Sequence, residues 1–346
     1  MAERLEIVRC EASDDARWNA FVDACPRASF YHRAEWRAIN RASFGHDTVH
    51  LAALDRGRIV GIFPIVQVKS LLFGNLACSM PFVNYGGPCG LDDDIEARLL
   101  EAGRTVADEW GVDYLEIRST RHLGAAYPTS EHKVSMTIAL DPDPDVVMAR
   151  FKREHRGEIR RAAKRGYVMR IGHELVEDFY DVLSAGWREL GTPVFQPQYL
   201  KRILKAFPQR TRVYVVYAAD GTPAAGAFVG IHNGTIEGMW LGLTAEYRQR
   251  LVGYVLYWEL IRDACLLGCH TYHLGRSSKD SGGETFKTKW NAHPMQLYWT
   301  YMLRTRSEMP GLRPDNPKYR LAIDAWRRLP LSVTQVLGPM IAGSIP

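Results

Sequence analysis

The sequence predicts an α/β (α+β) chain built from two tandem copies of one mixed-sheet unit, each flanked by helices, with a C-terminal extension. Three observations predict it. First, Phe30–Ile39 lies over Phe195–Leu204 at an offset of 165 residues, and the match continues without a gap. Thr48-Val49-His50-Leu51-Ala52-Ala53-Leu54-Asp55 falls on Val213-Tyr214-Val215-Val216-Tyr217-Ala218-Ala219-Asp220, and Gly61-Ile62-Phe63 on Gly226-Ala227-Phe228. Self-similarity over more than thirty positions is the mark of a duplicated unit. Second, Trp110–Thr120 is echoed by Leu267–Ser278 at an offset of 157 that becomes 158 where Arg118 lies over Arg276, so the intervening loops differ in length. Third, the chain has 346 residues, 46% hydrophobic and 24% charged, a globular balance too long for one ordinary domain.

Within each copy the order reads helix, strand, tight turn, strand. Runs rich in β-branched and aromatic residues flank Asp55-Arg56-Gly57 and Asp220-Gly221, which are hairpin signals. Gly111 and Gly268 end helices, and the strands after them run into Arg118-Ser119-Thr120 and Arg276-Ser277-Ser278. Asp141-Pro142-Asp143-Pro144-Asp145 marks a hinge and a helix start, because proline biases the preceding residue away from helix. The expected domains are 1–140 and 141–310, the second opening on a basic junction helix. Residues 311–346, with Pro314, Pro317, Pro330 and Pro339, are expected as an appendage.

Composition excludes global disorder. Met1-Ala2-Glu3-Arg4-Leu5 is not a secretory signal, and the uncharged stretches 70–91 and 329–346 are broken by glycine and proline, so neither reads as a membrane span. The six scattered cysteines read as reduced thiols, which with the missing signal points to the cytoplasm. A net charge of +5 permits an anionic partner without requiring one.

The run Val146–Gly166 is strongly basic. At helical spacing Phe151, His155, Ile159 and Ala162 share one face, while Arg153, Arg156, Arg160 and Lys164 share another. Like charges on one stripe repel, so either acidic neighbours or a phosphate-rich ligand, such as a nucleotide diphosphate or RNA backbone, offsets them. The alternative is a solvated helix face.

In the second copy a polar, glycine-containing loop leaves the strand at Arg276-Ser277 and leads to Phe286-Lys287 and Trp290. Loops at strand ends build sites. A lysine there suits a developing oxyanion or a carbonyl donor, and the alternative is a surface lysine beside packed aromatics. Arg250-Leu251-Val252-Gly253-Tyr254 faintly resembles the turn that cradles the pyrophosphate of coenzyme A, with Tyr254 where a small residue is usual. Cys265 and Cys269-His270 lack a second ligand pair, so no metal is expected. Asn84-Tyr85-Gly86-Gly87-Pro88 reads as a loop shaping a cleft, or a turn between strands.

Phe151-x4-Arg156-x2-Ile159-Arg160-x3-Lys164-x-Gly166, Leu190-Gly191-Thr192-Pro193, and Gly275-Arg276-Ser277 with Phe286-Lys287-x2-Trp290 together resemble the FemAB-like transferases. The tail, with Asn316-Pro317-Lys318-Tyr319, Trp326-Arg327-Arg328-Leu329-Pro330 and Leu337-Gly338-Pro339, is similar to the subgroup associated with exosortase (XrtA/PEP-CTERM) systems. The resemblance implies two tandem GNAT-like domains and amide-bond formation, with aminoacyl-tRNA as donor in the peptidoglycan members. It implies that Phe286 and Lys287 sit where the acyl group is transferred, with exopolysaccharide or another envelope precursor as acceptor. No long heptad run marks the coiled-coil arm that some relatives insert.

The expected chemistry is attack of an acceptor amine on an activated acyl carbonyl. Lys287 steadies the oxyanion and Phe286 packs on the donor, with no resident cofactor. Arg276, Ser277, Arg156, Arg160, Lys164, Tyr85 and Trp290 bind donor or acceptor. His273, Glu259 and Asp280 stand open as proton acceptors. Two other classes remain: a GNAT-type enzyme using acyl-CoA, and a non-catalytic phosphate- or polysaccharide-binding module. The tail either packs on the body or touches an anionic membrane surface. The oligomeric state is left open.

Overall fold

The computed structural model describes residues 5–70, 74–310 and 317–345. Met1-Ala2-Glu3-Arg4, residues 71–73, Pro314, Asn316 and the side chains of 317–319 lie outside that description, as does Pro346. The chain forms two compact units. Unit 1 takes Met1–Val134, Gln296–Pro310 and Gly343–Pro346; unit 2 takes Ser135–Met295 and Gly311–Ala342.

Unit 1 runs β1 (Glu6–Cys10), α1 (Asp15–Ala24), α2 (Trp36–Phe44), β2 (Thr48–Asp55), β3 (Arg58–Ser70), β4 (Gly74–Cys78), β5 (Cys89–Gly90), α3 (Asp93–Glu109), β6 (Tyr114–Ser119) and the start of β7 (Thr129–Ala139). Arg56 (φ 48) and Gly57 (φ 76) make the tight hairpin turn that the sequence indicates between β2 and β3. The strand order is β1-β2-β3-β4-β6, with β5 on β3. β4 and β6 are parallel for two residue pairs, Ala77↔Leu115 and Cys78↔Glu116. Leu99 and Val106 of α3 bury against Phe63, Ile65 and Leu115.

Unit 2 repeats this plan after two short helices, α4 (Pro144–Ala149) and α5 (Arg153–Ala163). It continues with β8 (Val168–Ile171), α6 (Val176–Leu190), α7 (Pro197–Ala206), β9 (Thr211–Tyr217), β10 (Pro223–His232), β11 (Thr235–Leu243), α8 (Ala245–Gln249), α9 (Val252–Leu266), β12 (Thr271–Ser278) and α10 (Gly282–Thr288). Next comes β13 (His293–Leu303), whose residues Tyr298–Leu303 ladder onto Ser119–Tyr114 within unit 1. Residues 296–310, assigned by sequence to the second copy, therefore count with unit 1. The unit 2 sheet runs β7-β12-β11-β10-β9-β8. The extension folds as α11 (Pro317–Arg328) and α12 (Leu331–Ala342).

The helix start read at Asp143-Pro144 is present: Asp143 is the N-cap and its Oδ1 accepts from the Asp145 N–H at 2.9 Å. The single basic helix read over 146–166 is not. It breaks at Arg150–Lys152, where Phe151 leaves the helical path and buries to 2% exposure among Trp258, Trp290 and His155. The apolar face of α5 is as read, with His155, Ile159 and Ala162 buried. α6 ends at Gly191 (φ 80), the left-handed conformation that glycine tolerates. α6 also crosses β11 almost backbone to backbone, since a Cβ on Gly242 would lie 2.6 Å from Leu183 Cα.

Candidate active site

Between β11 and β12 the parallel ladder of unit 2 holds for three pairs, Thr235↔Thr271, Ile236↔Tyr272 and Glu237↔His273, and then ends although both strands continue. On the other side of β11 the register slips, with Phe228 opposite Trp240 and Val229 opposite Gly238, so Met239 is bulged out. Backbone groups beyond the last pair are left for other partners. Lys287 takes two of them: its Nζ donates to Gly275 O at 2.8 Å and to Arg276 O at 3.2 Å.

Adjacent carbonyls normally point to opposite sides of a strand. Gly275 at φ 83 turns the chain so that one ammonium reaches both. A Cβ there would also lie 2.9 Å from Gly238 O. Gly275→Ala is expected to cost about 1–3 kcal/mol of stability through left-handed strain and this clash, and to displace the Lys287 acceptors; chemical denaturation measures the first and activity the second.

α10 sets the lysine in place. Ser281 caps it through the Glu284 N–H at 3.3 Å, and Glu284 accepts in return from the Asp280 N–H at 2.6 Å. One turn later Phe286 points to Tyr254 and Tyr257, with ring centroids 5.6 and 5.4 Å apart, while Lys287 turns inward and is buried to 8% exposure. Burial, and secondarily the Arg276 charge, pulls the Lys287 pKa from 10.5 down to about 7.

Beneath Phe286 lies an aromatic cluster around Trp290. Its ring stacks on Tyr257 at 5.5 Å and meets His155 edge-on at 4.4 Å, with Phe151 and Tyr254 completing the cage. Trp290 has no exposed surface, so its role is to support Phe286 and α10 rather than to present a face to substrate. Trp290→Ala is expected to cost about 3–5 kcal/mol, checked by urea unfolding. Burial first, then Lys289, pushes His155 down to about 4, which keeps it neutral.

A cavity of ≈ 660 Å³ adjoins this cluster and receives Arg150, Lys152 and Lys289 together with Glu154, Glu158, Asp280 and Glu284. That lining is mixed in charge and is not a polyanion groove. Of the arginine stripe read from sequence, Arg160 and Lys164 are exposed and outside the cavity. Arg156 donates to Ala149 O at 3.3 Å and Phe151 O at 2.7 Å, tying off the end of α4. Glu158 pairs with Arg161, so an acidic neighbour offsets part of the stripe.

Arg276 and Ser277 flank Lys287 on β12, half-buried and buried respectively. Tyr85 lies in unit 1, buried edge-on against Tyr31 at 5.2 Å. Of the three proton acceptors left open, Glu259 pairs with Arg262 at 2.9 Å and Asp280 sits in an exposed turn. His273 is different: its Nδ1 lies 3.4 Å from Oε2 of Glu237, a carboxylate with 1% exposure, at the last pair of the ladder. Glu237 belongs to no motif that the sequence displays. The available signal was a lone carboxylate in the strand Thr235-Ile236-Glu237-Gly238-Met239-Trp240.

Leu251 (φ 66) starts α9 without a side-chain cap, so the first N–H groups of that helix have no side-chain acceptor at the N-cap. Tyr254 turns from this turn into the aromatic cluster. Cys265 and Cys269 are buried free thiols, and among the described residues no group of three His, Cys, Asp or Glu side chains is placed to hold a metal.

A family model described as acetyltransferase (GNAT) domain matches residues 149–288, which contain α5, the parallel ladder and α10. No sequence among the curated proteins matches the chain. Among solved structures the chain is similar to FemX, with 14% identity, a TM-score of 0.64, and 92% of this chain and 100% of that one covered. It is similar to L-PGS from Bacillus licheniformis at 13% identity and TM-score 0.55, covering 94% of this chain and 97% of that one. A tandem GNAT protein from the clavulanic acid biosynthesis pathway matches at 14% identity and TM-score 0.53, covering 86% and 97%. The fold is thus the one the sequence predicted, a mixed-sheet α/β chain shared with tandem GNAT structures, and residues 149–288 match a GNAT acetyltransferase domain.

Proposed function

We propose that this protein is an acyltransferase that forms an amide bond on an amine of a cell-envelope or exopolysaccharide precursor, as the resemblance to the FemAB-like, exosortase-associated subgroup implies. The observation that carries the reading is the buried Lys287 ammonium at the end of the β11–β12 ladder, inside the region matching the acetyltransferase domain. The acceptor nitrogen attacks the acyl carbonyl, so a C–N bond forms and the bond to the donor's oxygen or sulfur breaks. Protonated Lys287 has three N–H groups; two are held by Gly275 and Arg276, and the third donates to the oxyanion. His273, beside Glu237, takes the proton that the amine loses and returns it to the departing oxygen or sulfur, so the leaving group is released as alcohol or thiol.

Aminoacyl-tRNA is the donor in this reading. Acyl-CoA is the second reading, favoured by the acetyltransferase match and by the uncapped start of α9, which suits a diphosphate. Mass spectrometry of reactions supplied with each donor, with an amine acceptor, separates them. Consumption of aminoacyl-tRNA with an acceptor gain of one aminoacyl mass supports the first. Consumption of acyl-CoA, with a melting-temperature rise on adding coenzyme A, supports the second. Consumption of neither leaves the binding-module reading.

A further inference from the structure

The extension α11–α12 has one face packed on α6 and one that is exposed. On the packed side Arg327 Nη2 donates to Leu190 O at 3.3 Å, Gln335 Nε2 donates to Ser184 Oγ at 3.0 Å, and Gly338 lies over the Val194 backbone. Arg188 Nη1 donates to Leu329 O at 3.3 Å, anchoring the link between the helices. Gly338 and Pro339, which the sequence suggested would interrupt the tail, sit inside α12 without ending it.

The opposite side is a pair of stripes at helical spacing: Leu321, Ala325 and Arg328 on α11, and Ser332, Val336 and Met340 on α12. Leu321 is 82% exposed, Met340 75% and Val336 67%, which no packing within the unit explains. Arg320 and Arg328 flank these side chains, exposed and without an ion-pair partner among the described residues, and residues 329–346 carry no charge at all. Apolar side chains rimmed by arginine fit the headgroup boundary of an anionic bilayer.

A second copy of the chain fits poorly. A two-fold contact sets the same patch against itself, placing arginine opposite arginine. Two 12-residue helices, each about 18 Å long and about 10 Å wide, offer roughly 360 Å², under half the area of a stable interface. We propose that the outward face of α11–α12 docks the protein on a lipid surface bearing anionic headgroups, with Val336, Met340 and Leu321 entering the acyl boundary and Arg320 and Arg328 meeting lipid phosphates. Among the described residues no helix is long and apolar enough to cross a membrane, so this is surface attachment.

The test is co-sedimentation of the full chain with phosphatidylcholine vesicles, with and without phosphatidylglycerol. Binding is expected only to the anionic vesicles, and it is expected to be lost near 1 M salt, where screening acts within about 3 Å. R320Q/R328Q is expected to weaken it about 25-fold, at roughly a fivefold loss per basic residue. V336S/M340S should abolish pelleting with the melting temperature unchanged, since both positions are exposed. Absence of binding, equal binding to neutral vesicles, or a dimer in light scattering that V336S/M340S disperses would each overturn the proposal.

Discussion

Replacing Lys287 with methionine is expected to lower turnover about 100- to 1000-fold, the usual loss for one oxyanion donor, and to stabilise the fold at neutral pH. The two effects have one cause. Nζ is buried at 8% exposure against two carbonyls, an environment that penalises its charge and lowers its pKa from 10.5 to about 7. The unfolded chain binds that proton up to its ordinary range, whereas the folded chain releases it at about 7. From about pH 7 to 10.5 the unfolded state therefore holds more protons and stability rises with pH; below 7 the burial penalty is fully present. The methionine variant should lack this rise, as thermal melts across that window will read. In the wild type the charged donor is lost above about pH 7, giving an alkaline limb in kcat/KM. Lys287→Arg, whose charge persists, should move that limb upward even where its rate is low.

Exchanging His273 for glutamine is expected to lower kcat by about 100- to 10,000-fold, the range for a positioned proton acceptor. KM should change little, which a collapse of the site would not spare. In the proposed mechanism Glu237 acts through His273, so Glu237→Gln is expected to give a smaller loss in kcat with KM little changed. Both side chains are buried, so circular dichroism and melting temperature must accompany the kinetics.

The duplicated strand pairs were legible because hairpins announce themselves locally: Arg56-Gly57 and Asp220-Gly221 need turn chemistry that few residues supply. The repeat extends further, from β1–α1 to β8–α6, and this part was not legible. Trp18, Phe21 and Val22 on α1 answer to Phe179, Tyr180 and Leu183 on α6 only in being buried, and burial tolerates many apolar identities. The break in the basic run escaped for a related reason. Phe151 leaves the helix for contacts with Trp258 and Trp290, more than a hundred residues away in the chain. At the site, Phe286-Lys287 could be singled out as a pair after a polar loop. The inward turn of Nζ could not, since it depends on the ladder ending at Glu237↔His273 and on the left-handed Gly275. The Glu237–His273 pair forms across neighbouring parallel strands, a distance that sequence spacing does not encode.

Quenched single-turnover reactions test whether the Lys287 ammonium drives acyl transfer. Wild-type protein and K287M are each mixed with donor carrying a labelled acyl group and an amine-bearing envelope precursor, and the acceptor is weighed by mass spectrometry. With the wild type the acceptor is expected to gain one acyl group, and a folded K287M is expected to form that product at least about a hundredfold more slowly. Equal rates from the two proteins would contradict a role for Lys287 in the transfer.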